Sequence, residues 1–393
     1  MNRILVIDYC LDLMGGVEHT LCTLSNKLSK QAIVETLSEN KLKHKSFYEY
    51  NYNIKQYYLF DYSNNKHVKE HGVLSLPQKI IRRTLLPIKI YQFFHKHDNI
   101  DTIIFGKASI ALRFIPIISK TNPNAKIIVR DATHLYDFKL LDKINLKRRF
   151  PNNVSTYIVS SSESLKAYKK FFKSKNIKLE KVYNPLGIVP IKKYSPQNKV
   201  IVSIGRMDDN QKGFDNLIYA FVKTHSKHPD WELHLYGNST GSEKIKLTNL
   251  IAQLNATKYI HIFPATQNVV KTLNKASIFV LASRFEGYAN ILIEALACGI
   301  PSISYDWLMG ANEIIKDGEN GIIVPLQNRR RYLKGSCNTI DINNLSKAIN
   351  SLIEKPELMK KFHNSGPSII ASRNIDTIIR KWQEIIMEKK NVI

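Results

Sequence analysis

Short apolar runs alternate along this chain with longer stretches in which apolar residues recur every three or four positions. Short runs favour buried strands, whereas the longer period is typical of helices that pack one face on a core. In the first half, the predicted strands are residues 3–8, 57–60, 103–106, 126–130 and 157–161. In the second half, they are residues 200–206, 232–237, 259–263, 277–283, 302–305 and 321–325. Because strands alternate with helices, the pattern predicts parallel sheets.

The alternation stops in the middle of the chain and then starts again. Residues 188–198 include Pro190 and Pro196 and are predicted to form a linker. A chain of 393 residues is long enough for two domains of ordinary size. We therefore expect an N-terminal domain at residues 1–187 and a C-terminal domain at residues 199–372, with a last helical segment at residues 373–393.

The composition, 44% hydrophobic and 23% charged, is that of a soluble globular protein. Four consecutive apolar residues precede Asp8, which is too few for a secretory signal, and no later run approaches a membrane span. The four cysteines lack metal-ligand spacing and indicate reduced thiols. We therefore expect a cytoplasmic protein.

A net charge of +25 is the strongest feature of the composition. Such a charge favours polyanions, namely nucleic acid, anionic lipid or phosphorylated substrates. The alternative is a compositional bias, since Lys, Asn and Ile are abundant throughout. The charge is also locally clustered. Residues 76–97 carry no acidic residue, and their basic residues among Ile, Leu and Phe include Lys79, Arg82, Arg83 and Lys89. This segment is either an amphipathic helix on an anionic membrane or a core helix with a solvated basic back.

Residues 277–299 form the most informative stretch. An apolar strand leads into a short loop with Glu286, and the following helix contains Glu294 and ends at Gly299. That helix is apolar nearly all round, so the Glu294 carboxylate is expected to be buried and to require hydrogen-bond donors. The donors are either neighbouring protein groups or the paired hydroxyls of a ligand at the carboxyl edge of the sheet.

The two glutamates, seven residues apart between Glu-Gly-Tyr-Ala-Asn and Glu-Ala-Leu-Ala-Cys-Gly-Ile-Pro, resemble the signature of family 4 retaining glycosyltransferases. This resemblance implies the GT-B fold, in which two Rossmann-like doubly wound parallel-sheet domains face a cleft. It implies that Glu286 contacts the sugar of a nucleotide-sugar donor and that Glu294 holds the ribose hydroxyls. Family members commonly have Pro where Ala289 stands. The implied donor-binding segment comprises Glu286, Gly287, Tyr288, Ala289 and Asn290.

Arg206 and Lys212 are the candidate cations for the donor diphosphate. An Arg at a strand end and a Lys at the next helix start can converge on a diphosphate, although an ordinary exposed turn has the same pattern. The family also has Arg and Lys here, usually one residue closer together than in this chain. By the resemblance, both stabilise the charge of the leaving group as the glycosidic bond breaks.

The first domain contributes two further candidates. Gly15 and Gly16 precede a predicted helix, where the backbone can approach a phosphate or simply turn. They match a Gly-Gly loop of the family, so Gly16 is a donor-site candidate. His134 follows the strand at residues 126–130 and is either structural or, as the resemblance implies, a cleft histidine near the donor sugar. The resemblance also implies that residues 373–393 return to the first domain.

The expected function is retaining transfer of a sugar from a nucleotide diphosphate sugar, with UDP favoured over GDP, to a glycan, lipid-linked glycan or cell-envelope polymer. No metal and no other cofactor is expected, because no Asp-x-Asp pair follows a suitable strand. The expected location is peripheral, on the inner face of the cytoplasmic membrane. The alternatives are a GT-B sugar-nucleotide epimerase or hydrolase, and a basic nucleic-acid-binding protein. No recognisable nucleic-acid module occurs in the sequence, so we expect no nucleic-acid partner.

Overall fold

We describe the protein from a computed structural model. The structure describes residues 2–66, 74–132, 135, 138–173, 177–191, 196–207, 209–238, 241–266, 268–307, 310–327 and 338–388. The chain forms two compact units. The first comprises Met1–Gly187 and Ile375–Ile393, and the second comprises Ile188–Asn374. The candidate residue His134 lies outside the described residues.

The described strands and helices alternate along the chain. The strands of the first unit are β1 (Arg3–Asp8), β2 (Ile33–Lys41), β3 (Lys55–Asp61), β4 (Thr102–Phe105), β5 (Lys126–Asp131), β6 (Thr156–Val159) and β7 (Lys178–Lys181). Its helices up to residue 187 are α1 (Gly16–Leu28), α2 (Leu76–Lys96), α3 (Ala108–Thr121), α4 (Leu140–Arg149) and α5 (Ser162–Phe171).

The second unit repeats this alternation. Its strands are β8 (Val200–Ile204), β9 (Glu232–Tyr236), β10 (Ile260–Phe263), β11 (Ile278–Leu281), β12 (Ser302–Tyr305) and β13 (Gly321–Val324). Its helices are α6 (Asp209–Lys212), α7 (Phe214–His225), α8 (Gly241–Gln253), α9 (Val269–Leu273), α10 (Asn290–Ala297), α11 (Thr339–Ile353), α12 (Pro356–Ser365) and α13 (Ile369–Ser372). The last helix, α14 (Ile375–Met387), belongs to the first unit.

The first sheet is parallel and has the order β3-β2-β1-β4-β5-β6-β7. Strand residues alternate between its faces, so Leu5 and Ile7 enter one core while Ile4 and Val6 enter the other. Helices α2 to α5 cover the first face. Helices α1 and α14 cover the second face, where Trp382 of α14 is buried.

The second sheet is also parallel, with the order β10-β9-β8-β11-β12-β13. One of its faces packs on α7, α8, α11 and α12. The chain leaves β8 toward one edge of the sheet and leaves β11 toward the other, so the connections after these neighbouring strands run in opposite directions. Such a switch point is where open α/β sheets bind ligands. The expectation of two α/β domains with parallel sheets is confirmed.

Candidate functional site

The loops after β8 and β11 meet at the switch point of the second sheet. The Lys212 Nζ atom lies 2.6 Å from Oε1 of Glu286, and the Ser283 hydroxyl donates to the same oxygen at 2.6 Å. The side chains of Lys212 and Glu286 are only 15% and 7% exposed. Lys212 is the last residue of the single turn of α6, and from there its ammonium reaches Glu286.

Close backbone packing brings these two loops together. Gly213 has a φ of +63°, and a Cβ at this position would lie 2.1 Å from the carbonyl oxygen of Ala282. Any side chain there would force the loop after β8 away from the end of β11. A Cβ at Gly205 would lie 3.2 Å from Cδ of Lys212, so this glycine also gives the lysine stem room to cross the strand end. The glycines therefore set the distance between Lys212 and Glu286.

Arg206 lies at the same strand end but does not contact Glu286. It is exposed, and its Nη2 donates to Oε1 of Gln211 at 2.9 Å. Gln211 in turn donates from Nε2 to the carbonyl oxygen of Phe285 at 3.4 Å. The structure therefore brings Arg206, Lys212 and Glu286 to one edge of the sheet and leaves the guanidinium open to solvent. An anion that arrives at this edge meets two cations.

Arg284 is a buried charge that the sequence analysis missed. It is 1% exposed, and its Nη2 lies 2.6 Å from Oδ2 of Asp215 and 3.3 Å from Oδ1 of Asn216. These contacts fasten the loop after β11 to the first turn of α7. The sequence signal was the single cation in Ser283-Arg284-Phe285, directly after an apolar strand.

Helix α10 carries the second glutamate of the motif. Glu294 is 5% exposed, and burial raises the pKa of its carboxyl to about 7. Burial also raises the pKa of the nearby Cys298 thiol, to about 11. The prediction that Glu294 is buried is therefore confirmed. At neutral pH its carboxyl group is divided between the neutral and the ionised form, so a ligand with hydroxyl donors can select the ionised form.

The remaining donor-segment candidates lie between Glu286 and the first turn of α10. Ala289 is 3% exposed, and its carbonyl oxygen accepts from the backbone N–H of Leu292 at 3.1 Å. Asn290 is the first residue of α10, and its backbone N–H donates to the carbonyl oxygen of Tyr288 at 3.1 Å. Gly287 and Tyr288 are partly exposed.

Arg373 fixes Tyr288 from a distant part of the chain. Its Nε donates to the Tyr288 hydroxyl at 2.5 Å, and its guanidinium lies 5.7 Å from the centre of the tyrosine ring. Arg373 is 1% exposed and also donates to the carbonyl oxygen of Glu313 at 3.3 Å. It therefore holds the donor segment against the segment that follows β12. Nothing in the local sequence pointed to this residue.

Gly16 lies in the first unit, where it begins α1. The nearby Lys107 follows β4, and its Nζ lies 3.5 Å from Oδ2 of Asp8 and 3.4 Å from Oε1 of Glu18. Burial lowers the pKa of Lys107, but the two carboxylates together outweigh that effect and the net pKa is raised. The glycine loop therefore adjoins a charged lysine held between two acids.

The basic segment forms the continuous helix α2, and three of its four candidate residues, Lys79, Arg83 and Lys89, are exposed. Arg82 is different, because it is only partly exposed and pairs with a buried acid. Its Nη1 lies 2.7 Å from Oε2 of Glu39, whose other oxygen lies 2.6 Å from Nη2 of Arg113. The Glu39 side chain is fully buried and that of Arg82 is 15% exposed, so Arg82 pairs with an internal carboxylate from a partly exposed position.

Within the described residues, no helix is both long and apolar enough to cross a membrane. Helix α2 nevertheless presents two faces of different chemistry. Leu86, Ile90 and Phe94 are buried in the core. Its exposed large apolar residues are Leu76, Ile80, Ile81, Leu85, Ile88 and Tyr91. The buried residues agree with a helix that packs on the core, and the membrane interpretation stays a prediction.

Residues 190–368, which lie within the second unit, match the family model described as glycosyl transferases group 1. A Haemophilus influenzae protein named "Uncharacterized glycosyltransferase" is 29% identical over 231 residues, which are 58% of this chain and 60% of that protein. A Campylobacter jejuni protein is 31% identical over 176 residues, which are 44% of this chain and 47% of that protein. Its name is N-acetylgalactosamine-N,N'-diacetylbacillosaminyl-diphospho-undecaprenol 4-alpha-N-acetylgalactosaminyltransferase. The alignments thus span less than two thirds of either relative.

Solved structures show the fold. A crystal structure of a mutant of S. aureus TarM in complex with fondaparinux, alpha-GlcNAc-glycerol and UDP matches 99% of this chain and 100% of that chain. The TM-score is 0.77 and the identity is 14%, a level that shows the fold alone. The GT-B fold is therefore confirmed. The family match in the second unit, together with the named relatives, supports an enzyme of the glycosyltransferase class.

Proposed function

We propose that this protein is a retaining hexosyltransferase of family 4 that uses a UDP-sugar donor. The observation that carries the proposal is the contact between Lys212 and Glu286 at the switch point of the second sheet. The UDP in the TarM complex supports the nucleotide, although it is said only of that protein. The Campylobacter relative, named for a diphospho-undecaprenol acceptor, supports a lipid-linked glycan as acceptor.

In this proposal, Lys212 and Glu286 exchange partners when the donor binds. Without donor, the ammonium and the carboxylate neutralise each other at 2.6 Å. A diphosphate that enters beside Arg206 and Lys212 takes over the ammonium and frees Glu286 for the hydroxyls of the donor sugar. As the glycosidic bond to the β-phosphate breaks, negative charge grows on the diphosphate, and both cations stabilise it more than in the ground state.

The acceptor hydroxyl then attacks the anomeric carbon from the face that the diphosphate leaves, so the configuration is retained. The departing β-phosphate oxygen accepts the hydroxyl proton in the same step. Glu294 holds the ribose, and the backbone N–H groups of Gly287 and Tyr288 are directed to the donor. His134 and Gly16 remain candidates for the sugar and phosphate contacts. The proposed reaction requires neither a metal ion nor another cofactor.

A product assay with UDP-sugars, with and without a lipid-linked glycan, tests the proposed activity. Transfer requires the acceptor, whereas a hydrolase or an epimerase consumes the donor when no acceptor is present. We expect Glu286→Gln to lower kcat strongly without weakening UDP binding, because the glutamate contacts the sugar and its neutral replacement no longer competes with the diphosphate for Lys212. Donor consumption that is independent of acceptor would refute the transferase assignment.

We further propose that the first unit binds the cytoplasmic surface of an anionic membrane, where a lipid-linked acceptor is presented. The exposed apolar residues of α2 lie beside the exposed cations Lys79, Arg83 and Lys89. Helix α4 adds a second exposed apolar set, which comprises Leu140, Leu141 and Ile144. Helix α3 packs against both α2 and α4, so the two exposed sets belong to one helical layer.

Sedimentation with anionic vesicles tests this surface. Each cation near the membrane contributes about 1 kcal/mol, so the triple variant Lys79→Gln, Arg83→Gln, Lys89→Gln should lose most of its vesicle binding. The matched control replaces Lys166, Lys169 and Lys170 of α5 by Gln, which removes the same charge from a helix without large exposed apolar residues. Equal sedimentation of the two triple variants would exclude α2 as the membrane contact.

A further inference from the structure

Strands β9 and β10 carry a cluster of metal-ligating side chains that the proposed reaction does not use. The strands pair in parallel, and His261 lies directly opposite His234 in the register. Side chains at paired positions point to the same face of a sheet, as do side chains two residues apart on one strand. Glu232 precedes His234 by two residues and therefore shares that face. Two imidazoles and one carboxylate meet on neighbouring strands.

The three donor atoms lie close together. Oε2 of Glu232 is 2.8 Å from Nε2 of His234 and 3.7 Å from Nε2 of His261. All three donor atoms lie within 4.8 Å of one another. Zinc ligands at about 2.0–2.1 Å from the ion in a tetrahedral arrangement are roughly 3.3 Å apart, so small side-chain movements suffice. Because the backbone register already sets the spacing, little further order has to be created on binding.

Neighbouring aromatic rings hold the His234 side chain in place, and the site is open to an arriving ion. The His234 ring centre lies 5.1 Å from that of Phe263, which stacks on Tyr236 at 4.7 Å. These aromatic rings limit the rotation of His234. The side chains of Glu232, His234 and His261 are 48%, 17% and 36% exposed, so an ion can reach them.

We propose that Glu232, His234 and His261 form a site for a divalent transition-metal ion such as Zn²⁺, with water as the fourth ligand. The His and carboxylate donors suit zinc and its neighbours, whereas Mg²⁺ prefers oxygen ligands alone. The ion links the edge strand β10 to its neighbour β9 and so stabilises a strand that pairs on one side only. Glu232 is the first residue of β9 and His234 is its middle residue, and the donor loops follow the carboxyl ends of β8 and β11, so the three side chains lie outside those loops. The site is therefore structural and does not depend on the proposed transfer.

Calorimetric titration of the tag-free, chelator-treated full chain with Zn²⁺ tests the site, with thermal unfolding as a second readout. We expect one equivalent to bind and to raise Tm, because an ion that binds only the folded chain stabilises it by mass action. His234→Gln and His261→Gln should each weaken binding roughly 10-fold or more, since losing even an outer-shell partner of a metal ligand costs about 10–100-fold. The matched control is His95→Gln, at an exposed histidine of α2.

Zn²⁺ uptake by the parent, the control and the site variants decides whether the site exists. One equivalent of Zn²⁺ that the control retains and both site variants lose supports the proposal, as does visible absorption when Co²⁺ replaces Zn²⁺. Glu232→Gln provides a milder variant if a histidine variant fails to fold, and it should also weaken binding. No uptake by the parent chain, equal uptake by parent and site variants, or equal uptake of Mg²⁺ would each overturn the proposal.

Discussion

The buried Glu294 should make the stability of the second unit depend on pH. Its carboxyl has a pKa of about 7 in the folded chain, against an ordinary value of 4.5 in the unfolded chain. Between these values the folded chain holds a proton that the unfolded chain has lost. Stability therefore falls as pH rises through this window, because the folded state binds more protons. The two pKa values differ by about 2.5, which corresponds to about 3 kcal/mol of unfolding free energy.

The variant Glu294→Gln should abolish this dependence. The amide has nearly the same shape but cannot ionise, so the variant should match the parent near pH 5 and exceed it by about 3 kcal/mol at pH 8. Urea unfolding followed by tryptophan fluorescence measures the difference. Trp231 and Trp307 report on the second unit, and Trp382→Phe in every variant removes the signal of the first unit. Glu357→Gln, at an exposed position of α12, is the matched control.

The same residue links stability to the proposed nucleotide site. If the ribose hydroxyls bind only ionised Glu294, the fraction of competent protein rises about 10-fold between pH 6 and pH 8, and the apparent Kd for a UDP-sugar falls by the same factor. Glu294→Gln should bind weakly at both pH values. If Glu294→Gln retains the pH dependence of the unfolding free energy that the parent shows, then burial of Glu294 is not the cause of that dependence. A Glu294→Ala protein that folds and binds the donor as tightly as the parent would refute the ribose contact.

Two further predictions concern residues that face or brace the donor. Arg206→Ala and Lys212→Ala should each raise the transition-state free energy by about 2–4 kcal/mol, because each removes a cation that stabilises the leaving diphosphate. Transfer should survive EDTA. An EDTA-sensitive activity that Mn²⁺ restores would refute the role of the two cations. Arg373→Met should raise the KM for the donor more than it lowers kcat, because the Tyr288 hydroxyl loses the guanidinium that lies 2.5 Å away. Arg373→Lys should restore part of the affinity. An unchanged KM in the Met variant would exclude a positioning role for Arg373.

The local sequence pattern was sufficient to predict the strand-loop-helix segment formed by β11, the loop after it and α10. The strand is an unbroken apolar run, and Gly299 and Pro301 end the helix, so Glu286 and Glu294 could be placed without knowledge of distant residues. Strand β2 had no such signal. Its sequence includes Glu35, Glu39 and Asn40, all of which are buried. A polar strand can be buried only if other parts of the chain supply its ionic partners.

Long-range partners explain what the sequence could not predict at the site. Lys212 and Glu286 are 74 residues apart, Arg284 and Asp215 are 69 apart, and Arg373 and Tyr288 are 85 apart. The resemblance to known enzymes supplied the roles of the first pair. Arg284 and Arg373 hold the loops through buried contacts. The position of Arg284 directly after an apolar strand was its one sequence signal, and no local pattern distinguishes Arg373 from an ordinary surface arginine. The metal-site histidines likewise become neighbours only through the register of β9 and β10.

A variant of Arg82 should separate folding from the proposed membrane binding of helix α2. Its ion pair with Glu39 is internal, and burial raises the pKa of that carboxyl even though Arg113 and Arg82 lower it in part. Removing Arg82 leaves Glu39 with one arginine, so Arg82→Gln should lower the unfolding free energy by about 1.5–3 kcal/mol, the range for a lost hydrogen bond to a buried charged group. Vesicle binding per folded molecule should stay nearly unchanged, because this guanidinium is paired with Glu39.

The neighbouring substitution Arg83→Gln should affect vesicle binding and not stability, which is the opposite of the result expected for Arg82→Gln. Arg83 is exposed on α2, so its loss should weaken vesicle binding while the unfolding free energy stays within about 0.5 kcal/mol of the parent value. Both substitutions replace an arginine of α2 by glutamine at adjacent positions, so they are matched in charge, residue type and place along the helix. Urea unfolding and vesicle sedimentation on the same preparations measure both effects. If Arg82→Gln loses vesicle binding at full stability, then the guanidinium faces the lipid, and the pairing with Glu39 cannot be what holds this helix on β2.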